Sequence, residues 1–579
     1  MTQKFNEEVS SRNQIIGTFG IILLLACLAL ATYLHTQNMF NFPYYQDIEG
    51  TNLANAWSLT NLGELTPYTY AYEEAPLGTF ILGGWGAING DYDTFGFPIN
   101  SGRALMLAFH LMSVALVYSI TKAITGRNLA ALIAVLIFMF SPLATIIQRR
   151  VLLDNVMLPF LLASIYFLVG KQRNLYHYML SATFFGVAVL IRGSAVYLLP
   201  ALYLIARTQS DKDHRRFAVN LWSGLTFSLL SILPLYAQMR LELFPQGWLF
   251  SGDFPHVSLI ERMLDRGPDT GFILNIGSGF RESFAQWTEV TYATSDPIIV
   301  YGGILCVIIT AALARYNRHL WSIPLLTFVY AIGLAIGGRV VISDVLILLP
   351  LFAIATGIVV SLIVDAIGTD SITTIGLSTV ALCILLYPFY TFYTLRIDIY
   401  TDNETQDQID AVEWVRNNID EDALIVTDNY AFVALRSDMP NVHYYWKVDT
   451  DPDIKFTLLD DDHCNIDYVI TTQQVVEDID LFELDLVRRA VERSTVIREY
   501  DNQGWPVEIH QVSKERCDFL ADDIELESDE PAPLGASELD DTGDDSDDGE
   551  EVDFTPDALG VSDEADESVP SDETESEDN

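Results

Sequence analysis

The sequence predicts an α-helical polytopic membrane protein with a small water-soluble α/β domain and an acidic tail. Three observations predict this class: repeated apolar runs of spanning length, mixed helix and strand patterns after residue 398, and a final segment without Lys or Arg. Half of the residues are hydrophobic (50%), although the formal net charge is −46. Both values are compatible in one chain because the acidic residues are concentrated away from the apolar runs.

Apolar runs long enough to cross the ~30 Å hydrocarbon core of a bilayer recur as far as residue 395. The first, Ile15 to Leu34, predicts a retained span rather than a cleaved signal peptide. The fifth and sixth are short and are typical of a broken pair inside a bundle. We predict about eleven spans, near residues 15–35, 102–121, 128–147, 151–170, 176–191, 193–206, 217–238, 298–314, 320–337, 343–364 and 374–395.

Short loops rich in Lys and Arg normally lie on the cytoplasmic side of a membrane. Such loops alternate correctly with an odd number of spans, so we expect a cytoplasmic N-terminus and an external C-terminal part. The first long loop, residues 36–100, contains no Lys or Arg and is therefore predicted to be external. The loops that indicate the cytoplasmic side carry Lys4 and Arg12, Lys122 and Arg127, Lys171 and Arg173, the segment RTQSDKDHRR, and Arg315 and Arg318.

Three regions follow from this pattern. Residues 1–398 form the predicted membrane domain, with external loops at 36–100 and 239–297, and residues 399–520 form the external α/β domain. Residues 521–579 hold no Lys or Arg and predict a disordered, solvated tail. The remainder is also acidic and poor in Lys, which argues against nucleic acid as a partner. Membrane lipids are expected partners because of the apolar spans. The same composition indicates a halophilic archaeon as the source.

The α/β domain is predicted from short-range patterns. The segment TQDQIDAVEWVRNNID has helical periodicity, and ALIVTD and IDYVITT are typical of buried strands. The segment STVIREYDNQGWPVEIHQVS predicts a hairpin that turns at residues 502–504. Cys464 and Cys517 lie in this polar part of the chain, where they either form a bridge or remain free.

Four arginines interrupt the charge pattern. Arg149, Arg150, Arg192 and Arg339 fall at span ends on the predicted outer side, where positive charge is normally depleted. A single arginine in such a place is explained by snorkelling or by a salt bridge. Four on one face favour a binding site for an anion, and separate snorkelling is the alternative.

Carboxylates accompany these cations on the same predicted side. The segment NFPYYQDIEGTN places Asp47 and Glu49 just after the first span, in an aromatic setting with no Lys or Arg nearby. The segment YAYEEAPLGTFILGGWGAI places Glu73 and Glu74 before an apolar run too short to span, which predicts a helix lying in the membrane interface. A plain cap of that helix is the alternative role for the pair.

The segment QRRVLLDNVM combines cations with an acid at the start of the fourth predicted span. Arg150 and Asp154 are four residues apart, so on one helix they would share a face and form a local ion pair. In the alternative, Asp154 orients Arg150 beside a bound phosphate or helps to hold a divalent metal ion.

These motifs together resemble the GT-C membrane glycosyltransferases. The acidic motif after the first span, the EEAPL segment before the second and the RRVLLDNVM segment at the fourth are similar to the branch of protein O-mannosyltransferases and aminoarabinose transferases. The resemblance covers roughly residues 15–400. Two departures stand out: Ile48 separates Asp47 from Glu49, and a single Pro makes Glu73 the better match to the family's acidic position, with Glu74 second.

The resemblance implies that a hexose, most simply mannose, is transferred from a dolichyl or polyprenyl phosphate to an acceptor on the outer membrane face. A surface glycoprotein or its glycan is the expected acceptor. Arg149, Arg150, Arg192 and Arg339 would bind the donor phosphate, and a divalent metal held by Glu73, Glu74 or Asp154 is the implied cofactor. Asp47 would act as the general base, with Glu49 as its alternative or orienting partner.

Two other classes of function remain open at this point. A secondary transporter would show inverted repeats and ionisable residues near the middle of spans. No internal repeat is evident, and the one mid-span candidate, His110, is better explained as a core histidine. A multi-span anchor or sensor would explain the α/β domain and the tail. It leaves the arginines and the acids of the first loop without a role.

Overall fold

The computed structural model describes residues 2–514 except 73, 91, 171–172, 211–212, 249, 255, 265–295, 317, 338–341, 368–395 and 503. All of these described residues belong to one compact unit, Met1–Phe519. Glu73, Arg339, the eleventh predicted span, most of the predicted loop 239–297, Cys517 and the acidic tail therefore lie outside the described residues.

Helices form at the first ten of the apolar runs that were predicted to span, and the eleventh lies outside the described residues. Pairs that are close in sequence pack against each other, as α7 does against α8, and distant pairs also meet, as α5 does with α16. The helices are α1 Thr2–Thr36, α2 Asp47–Asn61, α3 Leu77–Ile88, α4 Pro98–Thr125, α5 Asn128–Met139, α6 Pro142–Arg149, α7 Leu153–Leu168, α8 Leu175–Ile191, α9 Leu199–Gln209, α10 Arg215–Leu230, α11 Ile232–Met239, α12 Leu259–Leu264, α13 Gly303–Ala314, α14 Ser322–Gly337, α15 Ile342–Val345 and α16 Leu348–Ile367.

By length and composition, three helices of the described residues qualify as membrane spans, and a bent pair raises the number to four. These are Pro98–Thr125, Arg215–Met239, Ser343–Val364 and the pair α5 and α6, which is bent by 64°. The other apolar helices, with α1 counted only over Gly20–Thr36, are shorter than this test requires. The total of about eleven spans stays a prediction.

Local sequence signals explain where these helices begin and end. Pro98 occupies the first turn of α4, where a missing N–H costs nothing, and Gly126 ends the helix at φ 73°. Ser141 starts α6 by accepting a hydrogen bond from the Ala144 N–H at 3.1 Å. This cap, followed by Pro142, produces the bend between α5 and α6.

The segment RRVLLD is not one continuous helix. It is an extended break in which α6 ends at Arg149 and α7 begins at Leu153. The Asn155 side chain stabilises this break because its Nδ2 donates to the carbonyls of Ile147 and Arg150, each at 2.8 Å. The helical spacing that would have paired Arg150 with Asp154 is therefore interrupted.

The α/β domain contains a five-stranded sheet in the order β2-β1-β3-β5-β4. The strands β2, β1 and β3 are parallel, and β5 pairs antiparallel with both β3 and β4. The predicted strands at ALIVTD and IDYVITT and the predicted hairpin are thereby confirmed. The strands are β1 Ile425–Thr427, β2 Val442–Tyr444, β3 Tyr468–Thr472, β4 Ser494–Tyr500 and β5 Val507–Val512.

The helices of this domain connect and cover the sheet. The predicted helix in TQDQIDAVEWVRNNID forms at Gln406–Asn418. The helices are α17 Asp398–Thr401, α18 Gln406–Asn418, α19 Asn429–Arg436, α20 Tyr445–Thr450, α21 Gln473–Leu481 and α22 Asp485–Glu492. Cys464 is in a disulfide, and its predicted partner, Cys517, lies outside the described residues.

The sheet domain is fastened to the loop between α1 and α2. The Gln408 side-chain amide bridges the Tyr45 backbone, accepting from its N–H at 2.7 Å and donating to its carbonyl at 2.9 Å. The Tyr44 N–H donates to Glu404 Oε2 at 3.1 Å. Helix α2 also packs directly on α19, and a Cβ at Gly50 would lie 2.1 Å from the Asn429 carbonyl oxygen.

Replacing Gly50 by Ala is expected to disrupt this docking, because the added methyl group meets backbone atoms that cannot rotate away. We expect a loss of about 1–3 kcal/mol in the free energy of unfolding, with faster proteolysis between the bundle and the sheet domain. Gly224→Ala in α10 is the matched control, since a Cβ there meets nothing within 4 Å. Equal protease resistance of both variants would contradict the observed packing.

Candidate functional site

The Glu49 carboxylate lies at the centre of the polar contacts beneath α2. It forms a two-pronged ion pair with Arg103 of α4, at 3.1 Å from Nε and 2.8 Å from Nη2. Both side chains are fully buried. Glu49 also accepts hydrogen bonds from the Val151 N–H at 2.9 Å and from the Gln46 N–H at 3.4 Å. One carboxylate thus joins α2, α4 and the break between α6 and α7.

Arg103 uses its remaining donors on the same region. Its Nη atoms donate to the carbonyls of Met39 and Tyr44, each at 3.2 Å, and its guanidinium stacks over the Tyr45 ring at 4.7 Å. With all these partners the pair is a structural unit, because a buried charge is stable only when it is paired and hydrogen-bonded. This arrangement does not favour Glu49 as a general base, whereas Asp47 is free of any ion pair among the described residues.

Asp47 begins α2 and faces the sheet domain at the carboxyl ends of its parallel strands. The Thr51 hydroxyl donates to the Asp47 carbonyl at 3.0 Å and accepts from Asn429 Nδ2 at 2.6 Å. Asp428, which directly follows β1, is close enough for its charge to interact with that of Asp47. The crevice beyond the carboxyl ends of parallel strands is the usual ligand-binding position of such sheets.

Other polar groups of the sheet domain complete this edge. The Tyr445 hydroxyl, just after β2, donates to Asp478 at 2.5 Å, and the Thr472 hydroxyl at the end of β3 donates to Asp428 at 2.7 Å. Burial and the neighbouring Asp478 carboxylate raise the pKa of Asp47 to about 6, against the opposing charge of Arg150. Burial and the charge of Asp47 raise the pKa of Asp428 to about 7. Asp47 is thus held near the pKa that suits a general base.

A cavity of about 250 Å³ opens beside Asp47. Glu74 lies on its wall, and two cations, Arg262 of α12 and Lys447 of α20, line it as well. Trp446 also contributes to the wall, and Lys447 stacks over its ring at 4.4 Å. The cavity therefore brings together a carboxylate with a raised pKa and cations able to contact an anion.

A second charged cluster adjoins this cavity through Glu74. The Arg192 guanidinium, at the end of α8, contacts the Glu74 carboxylate and lies 3.4 Å from Asp154 Oδ1. Asp154 is therefore paired with Arg192 rather than with Arg150. In this arrangement the guanidinium lies where a metal held by Glu74 and Asp154 would need to be. The described residues of this cluster therefore do not fit a divalent ion.

Arg149 has a structural role that the sequence did not reveal. It is fully buried, and its Nη atoms donate to the carbonyls of Ile399 at 2.9 Å and Gln37 at 2.6 Å. Weaker contacts reach the carbonyls of Phe42 and Leu34, each at 3.4 Å. These carbonyls occupy the guanidinium donors that a phosphate would need, so Arg149 connects α1 with the start of the sheet domain.

Arg150 lies nearer to Asp47. Its guanidinium stacks over the Tyr44 ring at 5.1 Å, and its buried Nε has no hydrogen-bond partner among the described residues. Its charge lowers the pKa of Asp47 and so favours the ionised carboxylate. Of the four predicted phosphate-binding arginines, Arg150 and Arg192 lie beside the acids, Arg149 does not, and Arg339 is outside the described residues.

Several residues of this site were not identified from the sequence. Lys447 belongs to a segment without a recognisable motif, and Asp428 and Asp478 come from the sheet domain. Arg262 lies in the external loop 239–297, which is expected to cover the site, but the sequence assigns no roles within that loop. The position of Asp428 directly after a buried strand was the only available signal. An alternation of parallel strands and helices places such residues at the ligand-binding edge.

Residues 75–237 match the family model of the dolichyl-phosphate-mannose-protein mannosyltransferases. This is less than half of the chain and excludes both Asp47 and the sheet domain. No protein of curated function matches the sequence significantly.

Solved structures match over most of the chain. The oligosaccharyltransferase of Archaeoglobus fulgidus, crystallised with zinc and sulfate, is 11% identical with a TM-score of 0.54, and the match covers 83% of this chain and 72% of that one. Apo ArnT from Cupriavidus metallidurans is 11% identical with a TM-score of 0.52 and coverages of 86% and 99%. ArnT bound to undecaprenyl phosphate is 12% identical with a TM-score of 0.51 and coverages of 85% and 98%.

At these identities the structural likeness shows the fold, which is the polytopic GT-C fold with a small sheet domain. The expected GT-C fold is thereby confirmed, and the apolar helices and the family match indicate a membrane protein. The family match and these neighbours together support a polyprenyl-phosphate-sugar-dependent glycosyltransferase.

Replacing Arg103 by Met is expected to lower the free energy of unfolding by about 3–5 kcal/mol, because it leaves the Glu49 charge buried without its partner. Thermal unfolding of the purified protein in detergent measures this loss. The double variant Arg103→Met/Glu49→Gln should lose less than the sum of the two single variants.

The exposed pair of Arg416 and Asp438, 3.4 Å apart, provides the control. Asp438→Asn should change the free energy of unfolding by less than about 1 kcal/mol. An Arg103→Met protein as stable as the control would show that the buried pair does not hold α2 in place.

Proposed function

We propose that this protein transfers a hexose, most simply mannose, from a dolichyl or polyprenyl phosphate to a glycan of a surface glycoprotein on the outer membrane face. The observation that carries the proposal is the cavity where Asp47 and Glu74 meet Arg262 and Lys447. Among the structural neighbours, ArnT has been crystallised with undecaprenyl phosphate and the archaeal oligosaccharyltransferase with a tethered acceptor peptide. The first supports a lipid-linked donor, and the second supports an acceptor carried by a protein.

In this mechanism, Asp47 accepts the proton of the acceptor hydroxyl. The hydroxyl oxygen attacks the anomeric carbon, the bond from that carbon to the phosphate oxygen breaks, and the polyprenyl phosphate leaves with the electron pair. A single displacement of this kind inverts the anomeric centre. The phosphate is already a good leaving group, so its developing charge needs cations more than it needs a general acid.

The cations of the cavity can stabilise the negative charge that develops on the leaving phosphate. Arg262 and Lys447 line the same cavity as Asp47 and would contact the donor phosphate. Arg192 orients Glu74 on the adjoining wall, and Arg150 keeps Asp47 ionised. No step in this mechanism requires a metal ion, and the external orientation of the sheet domain is part of the proposal.

The Asp47→Asn variant tests the base. We expect transfer to fall by about 10²–10⁴-fold because the variant cannot accept the proton. Glycans of the surface glycoproteins are compared by mass spectrometry in a strain lacking the gene, complemented with wild type, Asp47→Asn or Glu413→Gln. Glu413 is an exposed carboxylate of α18 and serves as the control.

Loss of one hexose in the deletion strain, restored by wild type and Glu413→Gln but not by a membrane-inserted Asp47→Asn protein, is the expected result. Unchanged glycans in the deletion strain would argue against a glycan acceptor and return the anchor hypothesis to consideration. Full restoration by Asp47→Asn would exclude Asp47 as the base.

The pH dependence of transfer should report the same group. Because Asp47 must be ionised to act as a base and burial raises its pKa to about 6, the rate should fall as the pH drops below that value. Asp478→Asn removes a neighbouring negative charge, lowers the pKa of Asp47 and should shift this acidic limb to lower pH. Asp480→Asn on the same helix, where the side chain is 82% exposed, should leave the limb in place.

A further inference from the structure

A larger cavity, of about 600 Å³, lies on the other side of the loop that borders Asp47. Residues 63–70 form one wall, and Asp451, Asp453 and Ile454 of the sheet domain form another. The third wall consists of Tyr236, Arg240, Glu242, Asp253, Phe254 and His256. Its volume lies in the range of small-molecule sites. Both cavities share Leu65, Thr66, Thr69 and Tyr70, so a ligand in the larger cavity lies next to the proposed reaction centre.

Hydrogen bonds connect the loop that forms the shared wall to the segments around it. The Tyr70 hydroxyl donates to the Glu74 carbonyl at 2.8 Å, and the Thr69 N–H donates to Asp451 at 3.0 Å. The Tyr72 hydroxyl donates to Glu242 at 2.5 Å. The two other walls, which contain Glu242 and Asp451, are therefore each hydrogen-bonded to the loop that carries Glu74.

The charges of the larger cavity exclude an anionic ligand. The basic side chains that line it, Arg240 and His256, already contact the buried Glu242 carboxylate at 3.0 Å and 3.5 Å. Asp253 and Asp453 line the cavity without an ion pair or a side-chain hydrogen bond among the described residues. These free carboxylates are acceptors that repel phosphate and bind hydroxyl groups.

The walls between these carboxylates are aromatic. Tyr68, Tyr70, Tyr236 and Phe254 line the cavity, whereas Leu65 and Ile454 are its only branched aliphatic side chains within the described residues. A pyranose ring combines flat C–H faces, which pack on aromatic rings, with hydroxyl groups that donate to carboxylates. Peptide side chains would instead require apolar pockets, which the described lining does not provide.

We infer that this cavity is a saccharide-binding subsite that holds the acceptor glycan with its terminal hydroxyl directed towards Asp47. The inference rests on the proposed function and adds the place where the acceptor is recognised. Asp253 and Asp453 bind hydroxyl groups of the inner sugars, and Tyr236 packs on a ring face.

Binding of two probes to the full-length protein in detergent, without donor, tests this inference. The first probe is the pool of glycans released from the surface glycoproteins of the deletion strain, and the second is the glycan-free peptides of the same proteins. Asp253→Asn/Asp453→Asn and Tyr236→Ala are compared with wild type and with the exposed double control Glu413→Gln/Asp438→Asn. Retained molecules are identified by mass spectrometry.

We expect wild type and the control to retain the glycans, and both cavity variants to bind them at least about tenfold more weakly, as for lost hydrogen bonds to charged groups. The Asp253→Asn/Asp453→Asn protein should still fold, because neither carboxylate forms an ion pair or a side-chain hydrogen bond among the described residues. Tyr236→Ala removes the contact with Arg240 and the packing of a partly buried ring against Tyr72, Ala237 and Leu259, so thermal unfolding checks that this variant is folded. Equal glycan binding by all proteins, retention of the peptides instead, or no binding to wild type would each overturn the inference.

The binding and transfer measurements distinguish an error in the subsite inference from an error in the proposed reaction. The binding measurement uses no donor and no turnover, so the Asp47→Asn protein should bind glycans like wild type. If that variant also restores transfer in cells, the base assignment fails although the subsite stands. If glycans are transferred normally by the Asp253→Asn/Asp453→Asn protein at low acceptor concentration, the subsite fails although the reaction stands.

Discussion

The buried ion pair between Glu49 and Arg103 is the constraint on which the rest of the site depends. Removing two charges from water is costly, and each of the two groups is therefore stabilised by several hydrogen bonds. Glu49 accepts hydrogen bonds from the backbone N–H of Gln46, just before α2, and from that of Val151, in the break between α6 and α7. The pair thereby orients the first turn of α2, where Asp47 lies, relative to the bundle.

A consequence is that the cations near the first loop fall into two groups. Arg103 and the Nη atoms of Arg149 donate to carboxylate or carbonyl oxygens, and both residues act as internal connectors. Arg262 and Lys447 instead line the cavity beside Asp47. An arginine at the end of an apolar helix is therefore not sufficient evidence for phosphate binding. The number of backbone carbonyls that surround its guanidinium decides between the two roles.

The sheet domain is part of the candidate site rather than an appended module. Its parallel strands end at α2, and close packing at Gly50 leaves no room for a side chain between them. Asp428 and Asp478 add negative charge near Asp47 at this edge. The domain therefore contributes to the basicity of a residue that belongs to another part of the chain, and it also completes the larger cavity through residues 451–454.

The GT-C fold was expected from the resemblance carried by the first-loop acids and by the EEAPL and RRVLLDNVM segments. Periodicity and composition were sufficient to predict the helical bundle, the strands β1 and β3 and the terminal hairpin. They were sufficient because these features depend on neighbours in sequence: apolar runs form helices, and alternating or buried runs form strands. The roles of Glu49, Arg149 and Asp154 depended on partners 54, 250 and more than thirty residues away in the chain. Pairing of buried charges is decided by tertiary proximity and by the high cost of leaving a charge unpaired, and neither quantity is encoded in local spacing.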